Sequence, residues 1–258
     1  MTKEQWKNSG IYNFFHPRKW YVHPDCGKLE SFIRSIPARF RREEGVVIHR
    51  GRNELRRLEF EGESYVVKSF HRPNWLNRFV YGVYRASKAQ RSYQYAVKFL
   101  QMGVGTPQPV AYLEQRSGVL FDKSYYISRQ SPCPYVYSQL FEQHFDYADE
   151  VFREIGRVTA ILHEHGYAHK DYGRGNILFG QMPDGTVRIE IVDLNRMYIG
   201  KIGIKRGCQN FERLPAKPEM HRLMAESYAA ARGFDPEKCF ELMQFYRSRQ
   251  GGLIDGKY

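Results

Sequence analysis

The chain of 258 residues is 42% hydrophobic and 15% aromatic, enough apolar material for one large domain or two lobes, which excludes a disordered polymer. No apolar run approaches the ~20 residues needed to cross a bilayer, and no repeat or low-complexity tract interrupts the sequence. The formal charge of +12 is uneven: residues 1–130 hold 23 Lys/Arg against 11 Asp/Glu, whereas 131–258 hold 17 of each, so the first half carries the excess and favours anionic partners such as nucleotide phosphates, nucleic acid or an acidic membrane surface.

The N-terminal MTKEQWKNSG lacks the long apolar segment of a secretion signal, and Cys26, Cys133, Cys208 and Cys239 are scattered without metal-ligand spacing. Buried, reduced thiols in the cytoplasm are expected. GVVIHRG, ELRRLEFEG and ESYVVKSF are β-rich and separated by Gly-containing turns, so 46–70 reads as an antiparallel three-stranded meander with Lys68 on its last strand. A helix follows, its stripe of Ala89, Tyr93, Ala96, Val97 and Leu100 set behind a Ser87 cap and closed by Gly103 and Pro107. PVAYLEQ and VLFDKSYYISRQ form a further hairpin, after which Pro132 and Pro134 mark a lobe boundary dividing the chain into 1–130 and 131–258.

Beyond the boundary, Val151, Phe152, Ile155, Val158 and Leu162 make the buried stripe of a helix capped near Asp149 and ended by Gly166. NILFGQ and VRIEIVDL flank the turn MPDG, a hairpin that delivers Asp193 at its far end. Two helices finish the chain, one over 219–232 and one capped by Asp235 with Pro236 in its first turn.

Polar chemistry concentrates in YAHKDYGRGNILF, residues 167–179. Asp171 and Asn176 stand five apart on that loop, and Asp193 arrives 22 residues after Asp171 at a strand end, a pattern suited to a metal–phosphate site. Phosphoryl transfer needs a carboxylate that orients the acceptor hydroxyl, oxygen ligands for Mg²⁺ and a cation on the nucleotide phosphates. Asp171, Asn176 with Asp193, and Lys68 supply these in turn. Arg174, three after Asp171, is placed to meet charge developing on the transferred group, although an ordinary surface Arg fits the same pattern. Tyr172, Gly173 and Gly175 shape the loop, and His169 reads as buried scaffold with no catalytic step.

These residues resemble the protein-kinase-like superfamily. His169, Asp171 and Asn176 match its catalytic-loop pattern His-x-Asp-x-x-x-x-Asn, and Asp193 in VDLNR matches the metal-binding Asp-Phe-Gly position. Within it the chain is similar to bacterial lipopolysaccharide kinases that phosphorylate Kdo or heptose of the core. KAQRSYQYAVKFLQMGVGTPQPVAY resembles their helix and Gly-Val-x-x-Pro segment, and DLNR resembles their Asp-Phe-Asp-Arg; the likeness covers roughly 46–213. It implies an α+β, bilobal protein-kinase-like fold, with an N-terminal antiparallel sheet and one main helix and a mostly helical C-terminal lobe carrying a catalytic hairpin. It also implies ATP and Mg²⁺ as cofactors, a lipid-linked or core sugar as acceptor, and a cytoplasmic protein peripheral on the anionic inner membrane surface. No specific nucleic acid is implied.

The pattern has departures. Kinases usually pair the strand lysine with a helix Glu, but no acidic residue lies between Glu63 and Glu114, and Ser92 occupies the expected place. Lys68 is then held by Asp193, by the phosphates, or by Gln90 or Gln94. The same absence leaves Lys68, Arg72, Arg78, Arg85, Lys88, Arg91 and Lys98 without local compensation. In the phosphate-covering loop only Gly51 of HRGRNEL stands where a Gly-rich stretch is expected, with Arg52 or Asn53 to supply side-chain donors. Asn195 replaces the usual Gly after Asp193. An atypical protein kinase, a small-molecule phosphotransferase and a non-catalytic pseudokinase docking anionic lipid or protein stay open, and the sequence carries no signal for the oligomeric state.

Overall fold

In the computed structural model, which describes residues 18–72, 86–117 and 120–249, Glu61 and Gly62 have φ of 51° and 80° and turn the chain back in two residues. Both left-handed positions suit the twist of a tight hairpin, and Phe60 faces Glu63 across it. The strands on either side, β3 (Glu54–Phe60) and β4 (Glu63–Phe70), continue from β2 (Val46–Arg50) as the expected meander. MTKEQWKNSG, Arg78 and Arg85 lie outside the described residues.

The chain packs as two compact units, one from the described parts of Met1–Val97 and Gln108–Gln130, the other from Lys98–Pro107 and the described parts of Ser131–Tyr258. In the first, β1 (Arg18–Val22), β5 (Pro109–Ser117) and β6 (Leu120–Arg129) complete an antiparallel six-stranded sheet of order β1-β5-β6-β4-β3-β2. A short 3₁₀ turn at Pro24–Leu29 leads into α1 (Glu30–Arg41), which the sequence pattern did not announce. Pro37 sits inside this helix and removes a backbone donor at a cost of about 3 kcal/mol. Phe32, Ile33 and Ile36 are fully buried against Leu58, Tyr65, Val67, Leu113 and Ile127. At about 1.5–3 kcal/mol per buried side chain, these three outweigh the proline.

The opposite face of the sheet is covered by α2 (Lys88–Gln101), where Ala89 and Tyr93 pack with Phe70 and Tyr112. Ser87 caps α2 as expected, its Oγ accepting from the Gln90 N–H at 3.0 Å. Side chains alternate along a strand, so Tyr65 and Val67 belong to the α1 face while Lys68 shares the α2 face with Phe70. The Lys68 ammonium lies 5.4 Å from the Phe70 ring centre.

The second unit is built on α3 (Ala148–Glu164), which packs along α5 (Pro218–Arg232) beside α4 (Ile204–Gln209) and α6 (Pro236–Arg249). Tyr147 rather than Asp149 stands at the N-cap of α3; Asp149 lies in the first turn, where its charge suits the helix dipole. Asp235 does cap α6, accepting from the Lys238 N–H at 2.7 Å. A two-residue strand β7 (Tyr135–Val136) joins β9 (Ile177–Gln181) and β10 (Val187–Ile191) in one small sheet, and β8 (Tyr167–His169) pairs with β11 (Met197–Ile199) in another. The segment containing Gly105 binds here, the Ile191 N–H donating to the Gly105 carbonyl at 2.8 Å.

All four cysteines are free and buried, and burial first, then the nearby Glu190 carboxylate, push the Cys133 thiol up to about 12. Among the described residues no helix is long and apolar enough to cross a membrane.

Gly156 lets α3 and α5 touch backbone to backbone, since a Cβ there would strike the Met224 carbonyl and the Ser227 hydroxyl. Gly156→Ala is therefore expected to lower the free energy of unfolding by about 1–3 kcal/mol, although Ala is otherwise the better helix former by about 1 kcal/mol. Urea unfolding followed by far-UV circular dichroism checks this; an unchanged or raised midpoint would disprove the close approach.

Candidate active site

The β8–β11 pair sets Met197 opposite His169, and the β9–β10 hairpin sets Ile191 opposite Ile177. Two loops, 170–176 and 192–196, run between these ladders and carry the polar residues. His169 joins them. Its imidazole is completely buried; Nδ1 accepts from the Asp171 N–H at 3.1 Å, and Nε2 lies 3.2 Å from the carbonyl oxygens of both Val192 and Asp193. This arrangement assigns the proton to Nε2, which donates to the carbonyls while Nδ1 accepts. Burial keeps the ring neutral by pulling its pKa below the ordinary histidine value.

Asn176 closes the first loop. Its Nδ2 donates to the Asp171 carbonyl at 2.8 Å, its N–H to Gly173 O at 2.9 Å, and its own carbonyl accepts from the Val192 N–H at 3.0 Å. With the amide nitrogen committed to the loop, Asn176 Oδ1 is the atom left as an oxygen ligand. Asp193 takes a left-handed φ of 62°, a conformation Asp tolerates better than most residues, and its carboxylate accepts from the Asn195 amide. Asn195, where the sequence pattern expects Gly, thus holds the carboxylate.

Asp171 is about one-third exposed and carries two arginines. Arg196 Nη1 lies 3.1 Å from Oδ2 and 3.3 Å from Oδ1, and Arg213 Nη1 lies 3.3 Å from Oδ1. Arg174, which the sequence places as the cation of the site, is exposed and makes no ion pair among the described residues. Arg196 was visible in the sequence only as the end of DLNR. Arg213 lies 42 residues from Asp171, with no local spacing to reveal it.

A further layer supports the loops from behind. Asn210 Nδ2 donates to the His169 carbonyl at 2.8 Å while its Oδ1 accepts from His163 Nε2 at 3.0 Å, and His163 Nδ1 accepts from the Tyr228 hydroxyl at 2.9 Å. Tyr172 is buried with its hydroxyl 2.7 Å from Thr159 Oγ1, which itself donates to the Ile155 carbonyl at 2.6 Å. Sequence reading missed His163, Asn210 and Tyr228, the first and last buried and Asn210 half-buried, all drawn from distant helical segments.

The remaining sequence-predicted residues, Lys98 excepted, belong to the first unit. Lys68 lies on β4 between Leu55 of β3 and Tyr126 of β6. Gly51, Arg52 and Asn53 form the β2–β3 turn, in which the Gly51 N–H donates to Asn53 O at 3.1 Å. Asn53 Oδ1 accepts from the His71 N–H at 3.2 Å, tying the turn to the end of β4. Ser92 is buried and its hydroxyl donates to the Lys88 carbonyl at 2.9 Å within α2. Arg72 is not uncompensated: its Nε pairs with Asp122 Oδ1 at 2.6 Å, an acid brought from β6 by strand pairing. Lys98 donates to the Tyr167 hydroxyl at 3.4 Å.

Among the described residues no three His, Cys, Asp or Glu side chains cluster as a metal site. Asn176 and Asp193 instead offer two oxygen donors from adjoining loops. That set fits Mg²⁺, which keeps several waters and shares its remaining positions with substrate phosphates, and does not fit Zn²⁺.

No family model and no curated protein matches this chain. Among solved structures, one described as WaaP in complex with acyl carrier protein superposes with a TM-score of 0.60 at 16% identity, covering 91% of this chain and all of that one. The α+β fold, with its antiparallel sheet and helical second unit, is therefore shared with that WaaP chain. Two looser matches are the Rio2 kinase–ADP/Mg²⁺–phosphoaspartate complex of Chaetomium thermophilum (TM-score 0.47, 12% identity, 89% of this chain and 64% of that one) and WbdD with the kinase inhibitor LY294002 (0.43, 18%, 80% and 47%).

Burial pulls the His163 pKa from 6.5 down to about 4, and burial also lowers those of His169 and His221. Protons therefore bind the unfolded chain more readily. The stability the neutral His163 ring confers is complete above pH ~6.5 and is lost as pH falls toward 4, on the order of 3 kcal/mol, and His169 and His221 act in the same direction. Denaturant titrations across that window are expected to show the loss, and His163→Gln to reduce its slope; an identical slope in the variant would refute the assignment.

Proposed function

We propose that this protein is an ATP- and Mg²⁺-dependent kinase that phosphorylates a sugar hydroxyl, Kdo or heptose, of the lipopolysaccharide inner core at the cytoplasmic face of the inner membrane. The observation that carries the reading is the single buried His169 ring bonded both to the Asp171 amide and to the Asp193 carbonyl, which locks a base and a metal-binding carboxylate into one rigid group. The fold shared with WaaP, the sequence likeness to lipopolysaccharide kinases and the basic first half support it. Asp171 orients the acceptor hydroxyl and accepts its proton at a carboxylate oxygen. Asn176 Oδ1 and the Asp193 carboxylate hold Mg²⁺, which when bound neutralises phosphate charge. Lys68 takes the nucleotide phosphates, assisted by the Gly51–Arg52–Asn53 turn. Basic residues of the first half draw the protein to an anionic lipid surface.

A second reading, a pseudokinase scaffold, is favoured by one feature: Ser92 occupies the place of the acidic helix residue and spends its hydroxyl on Lys88. Calorimetry with Mg²⁺-ATP separates the two, since the scaffold requires no binding.

Asp171→Ala is expected to lower phosphate transfer at least ~10²-fold while leaving Mg²⁺-ATP binding intact, Asp193→Ala to abolish that binding, and Lys68→Met mainly to raise the KM for ATP. Radiolabelled transfer into isolated lipid measures all three; wild-type transfer by the Asp171 variant would sink the assignment. Mass spectrometry of core oligosaccharide from cells with and without the protein is expected to reveal the loss of one phosphate.

A further inference from the structure

From an acidic, aromatic-walled groove in the second unit we infer a docking site for a basic segment of a partner protein, an extended peptide that brings Lys or Arg together with an apolar anchor. No residue of the loops 170–176 and 192–196 lines it, so the inference goes beyond the phosphotransferase reading and does not depend on it.

The groove measures about 950 Å³, at the upper end of the roughly 300–1,000 Å³ of ligand clefts. It opens between β7, the segment 143–147, the first turns of α3 and the 181–187 end of the β9–β10 hairpin, all within one compact unit. Tyr135, Phe145 and Tyr147 form its aromatic wall. The Tyr135 and Phe145 ring centres lie 4.8 Å apart, those of Phe145 and Tyr147 5.6 Å, and Phe179 backs Phe145 at 5.1 Å. Both tyrosines are half-buried, so part of each ring stays open to a ligand while its packing holds it in place.

The hairpin side is equally fixed. The Met182 N–H donates to the Thr186 carbonyl at 2.8 Å and the Gly185 N–H to the Met182 carbonyl at 2.9 Å, while Asp184 Oδ1 accepts from the Thr186 N–H at 3.0 Å and from its hydroxyl at 2.7 Å. A groove with both sides set in advance costs little ordering when it is filled.

Charge decides what fits. Segments 131–154 and 181–187 hold Glu142, Asp146, Asp149, Glu150, Glu154 and Asp184 against Arg153 alone, in a chain whose formal charge is +12. Arg153 is spent on Glu226 of α5 at 3.0 Å, and Glu154 is held by Arg157 of its own helix. Glu150 is exposed and makes no ion pair or side-chain hydrogen bond among the described residues. Asp146 meets His144 at 2.9 Å in full contact with solvent. The dipole of α3 accounts for acids in its first turn, Asp149 and Glu150, but its influence fades beyond that turn and leaves Asp146, Glu154 and Asp184 unexplained.

The local field therefore opposes that of the molecule as a whole. Anionic lipid, nucleotides and nucleic acid are repelled here, whereas Lys and Arg are attracted, and a guanidinium over Tyr135 or Tyr147 gains a cation–π contact. The aromatic wall receives the apolar anchor. An open rim suits a chain that enters and leaves the groove.

The test exposes the intact protein to an array of immobilised octapeptides of random sequence. Bound sequences are expected to be enriched in Lys or Arg together with Leu, Met or aromatic residues. The strongest of them, labelled with fluorescein, is then measured by anisotropy. Glu150→Arg and Asp146→Arg are each expected to weaken it by ~10-fold or more, as loss of a charged contact implies, while Glu241→Arg on α6, an equal change in net charge at another exposed position, leaves it unchanged. Gln in place of the peptide's cations, or Ser in place of its apolar residues, should weaken binding as well. Urea midpoints establish that the variants fold, and either groove variant that does so decides the matter. Enrichment of acidic or uncharged sequences, no bound sequence at all, groove variants that bind as the wild type does, or an equal loss in Glu241→Arg would overturn the inference.

Discussion

One neutral imidazole holds the centre of the second unit. His169 has a single acceptor nitrogen and a single donor nitrogen, and it spends the first on the Asp171 amide and the second on the carbonyls of Val192 and Asp193. A protonated ring would lose the acceptor, and an apolar residue would leave three backbone groups of two loops without their partner in a buried place, each costing about 1–3 kcal/mol. Burial is what keeps the ring neutral, so the packing of the helices behind it is a condition for the geometry in front. Asn210 carries that dependence onward by binding the His169 carbonyl on one side and His163 on the other.

In front of the ring the chemistry is governed by excess positive charge. Asp171 has two arginine neighbours and Asp193 is held by a neutral amide, so the two carboxylates, similar in type, stand in different fields. The first unit solves its own problem separately: strand alternation puts Lys68 on the face covered by α2, and no acid of that helix is available to it, since the nearest acids in sequence are Glu63 and Glu114. Any acidic partner of Lys68 therefore comes from outside α2.

Local signals in the sequence were read where the physics is local. A Ser87 hydroxyl three residues before a free helix N–H, an Asp235 ahead of a proline, and a glycine after one residue of tight turn each describe an interaction closed within a few positions, and each is present. The spacing of His169, Asp171, Asn176 and Asp193 was legible for the same reason, because one loop and one hairpin hold them all. α1 escaped notice because Pro37 argues locally against a helix, and only the sheet beneath it, assembled from strands as distant as β5 and β6, supplies the buried area that overrides the proline. The Arg72–Asp122 pair likewise required β4 and β6 to become neighbours.

The amino-acid sequence by itself determined the β2–β4 meander, the helix behind Ser87, the β9–β10 hairpin and the place of the polar loop that carries Asp171 and Asn176, because turn chemistry, caps and periodicity are properties of short stretches. Tertiary structure alone decided that the cations on Asp171 are Arg196 and Arg213 rather than Arg174, that a histidine network from three helical segments supports the loop, and that Asn53 is anchored to His71. Electrostatic and hydrogen-bond energies depend on distances of a few ångströms between groups tens of residues apart, and folding sets those distances.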